Sequence, residues 1–115
     1  STKYVYEHLD AQEIIKHPDI DGMVEAIRNH DLYGITDRMG NVLESVTCPA
    51  YPVIDEIKAQ MMKNGAVNAM MSGSGPTTYG LFQDEIAARM ALSAATQKYT
   101  NYDVILCQTK NVPAL

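Results

Sequence analysis

The stretch Met70–Phe82, MMSGSGPTTYGLF, places a glycine-rich segment between two runs of strand-forming residues. Ala66–Met71 and Thr77–Phe82 are apolar, β-branched or aromatic at most positions, which predicts two β-strands. Ser72–Pro76, between them, contains the glycine, serine and proline residues that are typical of a turn. A connection this short joins antiparallel neighbours, so the stretch predicts a hairpin-like unit.

Helical spacing of apolar residues predicts four helices before the hairpin. They are marked by Tyr4, Val5 and Leu9; by Met23, Val24 and Ile27; by Leu32, Ile35, Met39, Val42 and Leu43; and by Val53, Ile54, Ile57 and Met61. Asp19 or Asp21 can cap the second helix, because a short acidic side chain accepts hydrogen bonds from the first turn. We expect Cys48-Pro49 to stop the third helix and Asn64-Gly65 to end the fourth.

The chain after the hairpin predicts one more helix and one more strand. Asp84 can cap a helix with an inner side formed by Ile86, Ala87, Met90, Ala91, Ala94 and Ala95. Asp103–Thr109, DVILCQT, predicts a last buried strand. The order of elements predicts a single α+β domain over residues 1–115, an antiparallel sheet with helices on one face. A complete ferredoxin-like unit has another strand before its first long helix, so we expect the sheet to lack its first strand.

Composition excludes several classes of function. The net charge of −5 attracts neither nucleic acid nor an anionic membrane surface, and no apolar run approaches membrane-spanning length. The N-terminal STKYVYEHLD lacks the pattern of a signal peptide, so we expect a cytoplasmic protein. Cys48 and Cys107 are too few for a disulfide framework and are predicted to be buried free thiols. His8, His17 and His30 show no metal-ligand spacing, and no metal site is expected.

The glycine-rich turn matches neither of two common phosphate-binding loops. A dinucleotide fingerprint continues into a helix, whereas Gly73-Ser74-Gly75 is followed by Pro76-Thr77-Thr78 and a predicted strand. A Walker A loop requires a lysine where this chain has Leu81. The remaining possibilities are a purely structural turn and a turn with hydroxyls and amides that accept an anion.

Four segments resemble the GHMP kinase superfamily. Met71–Phe82, MSGSGPTTYGLF, is similar to the third conserved motif of the superfamily, the glycine-rich loop of its C-terminal domain. Three other segments are similar to the same family in the same order: HPDIDGMVEAI (His17–Ile27), GNVLESVT (Gly40–Thr47) and YPVIDEIKAQMMKNGA (Tyr51–Ala66). The form of the loop resembles the subgroup that phosphorylates a diphosphocytidyl-methylerythritol hydroxyl in the non-mevalonate route to isoprenoid precursors.

The resemblance implies the ferredoxin-like C-terminal domain of a two-domain, ATP- and Mg²⁺-dependent small-molecule kinase. In this family the ATP-cradling loop and the catalytic lysine and aspartate belong to the N-terminal domain, and no segment of this chain is similar to them. We therefore expect no catalytic residue, no metal ligand and no bound cofactor in this chain. The implied partners are the small-molecule substrate and the N-terminal kinase domain.

The resemblance also assigns roles to individual positions. The third-motif loop would shape and support the phosphate site, and its residues here are Gly73, Ser74, Gly75, Pro76, Thr77 and Thr78. In the family, a threonine and then an aromatic residue lie against the cytidine of the substrate, and Thr2 and Tyr6 in STKYVY match them. Stacking of a base on an aromatic ring contributes roughly 1–3 kcal/mol. The alternative for Tyr6 is an ordinary half-buried aromatic residue.

Two other classes of function fit the same composition. A small α+β domain with a glycine turn can be a stand-alone regulatory module that binds a small molecule, or a structural dimerisation domain. The sequence encoded upstream of Ser1 separates these alternatives, because a Gly-Ser-Ser phosphate loop there selects the kinase.

Overall fold

The computed structural model describes residues 2–9 and 18–110. The elements in chain order are α1 (Thr2–Glu7), α2 (Ile20–Arg28), α3 (Leu32–Asp37), α4 (Glu44–Ala50), α5 (Val53–Lys63), β1 (Asn68–Met71), β2 (Thr78–Leu81) and α6 (Glu85–Lys98). Helices combined with a two-stranded antiparallel sheet confirm the predicted α+β class. Within the described ranges, no helix has both the length and the apolar character that a bilayer crossing requires.

The predicted hairpin is present. Asn68 lies opposite Leu81, and Met71 lies opposite Thr78, in an antiparallel pair. The turn is closed by the backbone N–H of Ser72, which donates to the carbonyl of Thr77 at 2.7 Å. α5 packs against both strands, so the sheet has a helical layer beneath it, as the sequence predicts.

The hydrophobic core lies where α1, α4, α5 and the end of β1 meet. It is built from Val5, Leu43, Cys48, Ile54 and Met71. The Met71 side chain is completely buried (0% exposed). Because Met71 is the last residue of β1, the core extends directly under the glycine-rich turn.

Short acidic side chains begin three of the helices. Asp19 caps α2 by accepting from Gly22 N–H at 3.0 Å, which confirms one of the two predicted caps, and Asp84 caps α6 as predicted. Asp19 also accepts from Arg38 Nε at 3.0 Å, so it joins the start of α2 to the end of α3. The hydrogen bond from Gly22, followed by that from Arg38, holds the pKa of Asp19 below its usual value. Asp31 caps α3 in the same way.

The prediction of a single helix that starts at Leu32 and is stopped by Cys48-Pro49 is wrong. α3 ends at Asp37, and α4 begins only at Glu44 and continues past Pro49. The break occurs because the Asn41 side chain accepts from the backbone N–H of Leu43, an Asx turn that starts a new helix. Pro49 is tolerated because α4 ends one residue later, so the missing N–H removes only one bond of the last turn.

The predicted last strand, Asp103–Thr109, is also wrong. This segment contains no regular element, and Ile105 is 80% exposed. A strand requires a partner for its backbone groups, and in the described part of the chain the sheet consists of β1 and β2 alone. In a ferredoxin-like sheet the opening strand lies between the hairpin and this last segment. No such strand occurs among the described residues, so the segment has no neighbour there to pair with.

The orientation of α6 agrees only in part with the prediction. Ala91 is buried, as predicted, and Ala88, which was not predicted to face inward, is buried too, whereas Ile86 and Met90, which were expected to face inward, are largely exposed. The inner face of α6 is therefore lined by small residues. The sequence pattern did not separate the two faces, because apolar residues occur on both.

The two cysteines differ in exposure. Cys48 is buried, as predicted, but Cys107 is exposed, because it lies in the unpaired segment after α6. Burial, together with the neighbouring Asp55 carboxylate, raises the pKa of the Cys48 thiol to about 11. At pH 8 a thiol with that pKa is roughly 0.1% thiolate, whereas an unperturbed thiol near pKa 8.5 is about a quarter thiolate.

We therefore expect one fast-reacting thiol when the native protein is treated with Ellman's reagent at pH 8. The second thiol should react only after denaturation, because it is both buried and protonated. Cys107→Ser should abolish the fast phase, and Cys48→Ser should leave it unchanged. Two thiols that react at the same fast rate in the folded protein would contradict the burial of Cys48.

Candidate functional site

The glycine-rich turn adopts a conformation that requires its glycines. Gly73 and Gly75 have φ angles of +57° and +79°, in the left-handed region that side chains disfavour. A Cβ on Gly75 would lie 2.6 Å from Met71 Sδ and 3.2 Å from Thr47 Cγ2, whereas a Cβ on Gly73 would meet nothing within 4 Å. The turn thus lies directly on the core at Gly75 and is open at Gly73.

Two side chains outside the turn hold its backbone in place. The Asn41 amide donates to the carbonyls of Met71 at 2.9 Å and Gly73 at 2.7 Å. The Thr47 hydroxyl donates to the carbonyl of Ser74 at 3.2 Å. Neither Asn41 nor Thr47 is among the site residues predicted from the sequence, although both lie in GNVLESVT, one of the segments that resemble the kinase family. That segment was the available signal.

The structure brings Thr2 to the turn. The hydroxyls of Thr2 and Ser74 lie 3.1 Å apart, which joins the start of α1 to the turn across 72 residues of sequence. Tyr6 lies one helical turn further along α1, on the same side of the helix as Thr2, and is 61% exposed. Its ring is therefore exposed rather than half-buried.

No basic side chain bonds to the turn within residues 2–9 and 18–110. Among the described lysines, three pair with acids elsewhere: Lys3 with Glu7, Lys58 with Glu44 and Lys98 with Glu56. The polar groups that the turn offers to an anion are therefore hydroxyls and backbone amides. These groups can support a phosphate site, but they bring no cation to it.

A separate polar cluster lies between α4 and α5. One oxygen each from Glu44 and Asp55 and the sulfur of Cys48 lie within 4.8 Å of one another. Glu44 accepts from Lys58 Nζ with one carboxylate oxygen and from Met71 N–H, at 2.9 Å, with the other. Burial lowers the pKa of Lys58, but the hydrogen bond and charge of Glu44 raise it above its usual value overall. Since both oxygens of Glu44 are engaged, the cluster links α4 to α5 and β1.

A cleft of about 1220 Å³ adjoins the turn. Its boundaries are the turn residues Ser74–Thr78, strand β2, the inner face of α6 and the unpaired segment Val104–Thr109. The cleft is thus bounded on one side by the unpaired edge of β2 and on another by the segment that was predicted to be a strand. In a ferredoxin-like sheet the opening strand has these two neighbours, and the described residues include no such strand.

Comparisons with known proteins identify the family. The model of the GHMP kinase C-terminal domain matches residues 23–101. The chain is 62% identical over 85 residues to the 4-diphosphocytidyl-2-C-methyl-D-erythritol kinase of Lachnospira eligens, covering 74% of this chain and 30% of the relative. It is 41% identical over 109 residues to the kinase of the same name from Clostridium novyi, covering 95% of this chain and 38% of the relative.

The fold is also found in a solved structure. The crystal structure of a 4-(cytidine 5'-diphospho)-2C-methyl-D-erythritol kinase superimposes with a TM-score of 0.70 and 25% identity, over 84% of this chain and 35% of that protein. The chain thus spans only 30% to 38% of the length of these kinases. The family match covers all of the observed strands and α6. The chain belongs to the GHMP kinase family and carries its C-terminal domain.

Proposed function

We propose that this chain is the C-terminal domain of an ATP-dependent kinase that phosphorylates 4-diphosphocytidyl-2-C-methyl-D-erythritol in isoprenoid precursor synthesis. The observation that carries the proposal is the turn Gly73–Thr78, with its left-handed glycines and its bonds to Asn41, Thr47 and Thr2. A turn held from three sides is suited to a fixed surface next to a phosphate. The relatives named for this activity supply the substrate class.

The turn is proposed to support the phosphate site rather than to perform the chemistry. Preorganised hydroxyls and amides stabilise charge without moving during the reaction. Gly73, Ser74, Gly75, Pro76, Thr77 and Thr78 form this supporting surface. The cytosine of the substrate is proposed to stack on Tyr6, near the point where Thr2 reaches the turn.

The groups that hold ATP and Mg²⁺ are assigned to the rest of the kinase. The described residues do not fit such a site by themselves, because no lysine or arginine bonds to the turn, and Glu44 already accepts from Lys58 and Met71. Mg²⁺ in kinases offsets the charge of the phosphates when it is bound. We propose that the N-terminal kinase domain provides these ligands, and that the cytoplasmic enzyme requires both domains.

The cleft beside β2 supports the proposed partner. Its position between the edge of β2 and Val104–Thr109 suits one extended segment of the same enzyme, which would complete the sheet. Such a segment would pair with the backbone groups of β2 that have no partner among the described residues. It would also lie against Ala88 and Ala91, which line the cleft on the inner face of α6.

The proposed cytidine contact is tested in the two-domain enzyme with the variants Tyr6→Ala and Tyr6→Phe. Loss of stacking worth roughly 1–3 kcal/mol should raise the KM for the cytidine-bearing substrate about 5- to 150-fold in Tyr6→Ala. Tyr6→Phe should keep the wild-type KM, because the ring is retained. The KM for ATP should stay within about twofold in both variants.

Tyr33→Ala is the matched control. Tyr33 lies on α3 and is 58% exposed. The substitution Tyr33→Ala therefore removes an exposed ring of the same kind at a position outside the proposed site. Steady-state ADP release, measured with each substrate varied in turn, gives both KM values. An equal loss for ATP and the cytidine-bearing substrate would contradict stacking by Tyr6, and no turnover by the wild-type enzyme would contradict the proposed function.

A further inference from the structure

The last residue of β1 is bonded by side chains on the side facing away from β2. Met71 N–H donates to Glu44 at 2.9 Å, and the Met71 carbonyl accepts from Asn41 at 2.9 Å. These are the two backbone groups that a neighbouring strand would otherwise pair with. Two side chains from the residues that lead into α4 therefore take the place of a strand at this point.

Asn41 extends this contact into the turn. Its amide nitrogen also donates to the carbonyl of Gly73 at 2.7 Å, and its oxygen accepts from Leu43 N–H at 3.0 Å. The nitrogen faces two carbonyls and the oxygen faces an N–H, so all three neighbours require the same orientation of the amide. The side chain thus spans the junction between the rigid end of β1 and the left-handed Gly73.

Glu44 supplies the rigid support for this junction. Its side chain is only 17% exposed, and the ion pair with Lys58 fixes its second carboxylate oxygen. Met71 is consequently held on both backbone groups and by the core around its side chain. Of the two side chains that bond to the Met71 backbone, only Asn41 also bonds to the turn among the described residues.

We propose that Asn41 is a positioning residue for the glycine-rich turn. Its hydrogen bonds set the separation between Gly73 and the end of β1. That separation in turn determines the direction in which the hydroxyls and amides of the turn point. This inference rests on the proposed kinase function for its kinetic consequence and on the hydrogen bonds alone for its structural one. Asn41 acts on the phosphate side of the site, so its effect differs from that of Tyr6.

The test uses Asn41→Asp in the two-domain enzyme. The aspartate has the same size but presents acceptors to both carbonyls, so we expect kcat at pH 8 to fall at least about tenfold. The KM for the cytidine-bearing substrate should stay within about twofold, because Tyr6 and Thr2 are unchanged. The deficit should shrink as the pH is lowered, since a protonated carboxyl group can again donate to one carbonyl.

Asn101→Asp is the matched control. Asn101 is exposed and lies beyond the end of α6. Its substitution by aspartate introduces the same charge as Asn41→Asp, but away from the turn. Its kcat should equal that of the wild type at each pH. If Asn41→Asp does not fold, Asn41→Ser keeps one donor and should give an intermediate kcat. A kcat within twofold of the wild type, or a loss that is independent of pH and matched by an equal change in substrate KM, would overturn the inference.

Amide hydrogen exchange provides a readout that does not depend on catalysis. The N–H of Gly75 donates to Ser72 at 3.0 Å inside the turn, and its exchange should accelerate at least about tenfold in Asn41→Asp, but not in Asn101→Asp. Unchanged exchange in Asn41→Asp would overturn the inference even if the enzyme is active. Accelerated exchange in a protein without kinase activity would retain the positioning role and reject the kinase function.

Discussion

The 115-residue chain alone is expected to release no ADP above background when it is incubated with ATP, Mg²⁺ and diphosphocytidyl-methylerythritol. Phosphoryl transfer requires a phosphate cradle, a cation and a group that orients the attacking hydroxyl, all placed together. Positioning of reactants alone can contribute about 7–11 kcal/mol to lowering the barrier, and the residues that the structure describes bring no such set to the turn. A supporting surface without reacting groups stabilises no transition state.

The measurement is a coupled ADP-release assay on the purified chain, with circular dichroism to show that the helices have formed. The two-domain enzyme under the same conditions is the positive control. Turnover by the chain alone that disappears in Gly75→Val would show that the turn belongs to a complete active site, and it would refute the assignment of the catalytic groups to another domain.

Gly75→Val in the two-domain enzyme is expected to reduce kcat/KM by roughly 5- to 150-fold. Holding a branched residue at a left-handed φ of +79° costs about 1–3 kcal/mol. If this strain raises the activation free energy by the same amount, it corresponds to that range of rate loss. The added Cβ would also lie 2.6 Å from Met71 Sδ, so either the turn or the Met71 side chain must shift. We expect the overall fold to be retained, because the methionine side chain is flexible.

Two further glycine variants separate the causes. Gly73→Val introduces a left-handed valine without a close contact and should give a smaller loss, whereas Gly40→Val has open space and no positive φ and should match the wild type. Kinetics and melting temperature are measured for all three variants. Near-normal kcat/KM for Gly75→Val would mean that the turn tolerates displacement and has no role in the site.

The sequence was most informative where structure depends on local interactions. The hairpin, the caps at Asp19 and Asp84 and the helix that ends near Asn64 are all determined by neighbouring residues, and all are present. The loop conformation was also accessible, because glycine is the residue that a left-handed turn requires. These features need no knowledge of distant contacts.

Features that depend on distant partners were not predictable from local pattern. The segment Asp103–Thr109 has the composition of a buried strand, but a strand forms only beside another strand, and Cys107 is exposed for the same reason. The support of the turn by Asn41 joins residues 30 and 32 positions apart. Sequence spacing gives no information about such a bond, and only the resemblance of GNVLESVT to the kinase family pointed to its neighbourhood.

One edge of β2 has no partner among the described residues, and this affects how the chain is expected to behave in solution. Exposed strand edges are templates for edge-to-edge association between copies of a protein. The exposed Ile105, in the segment that borders the same cleft, adds an apolar surface near the edge of β2. The strand is only four residues long, which limits the strength of each contact. The isolated chain should therefore form reversible, concentration-dependent aggregates, and a peptide that occupies the cleft should act on it as a solubilising ligand.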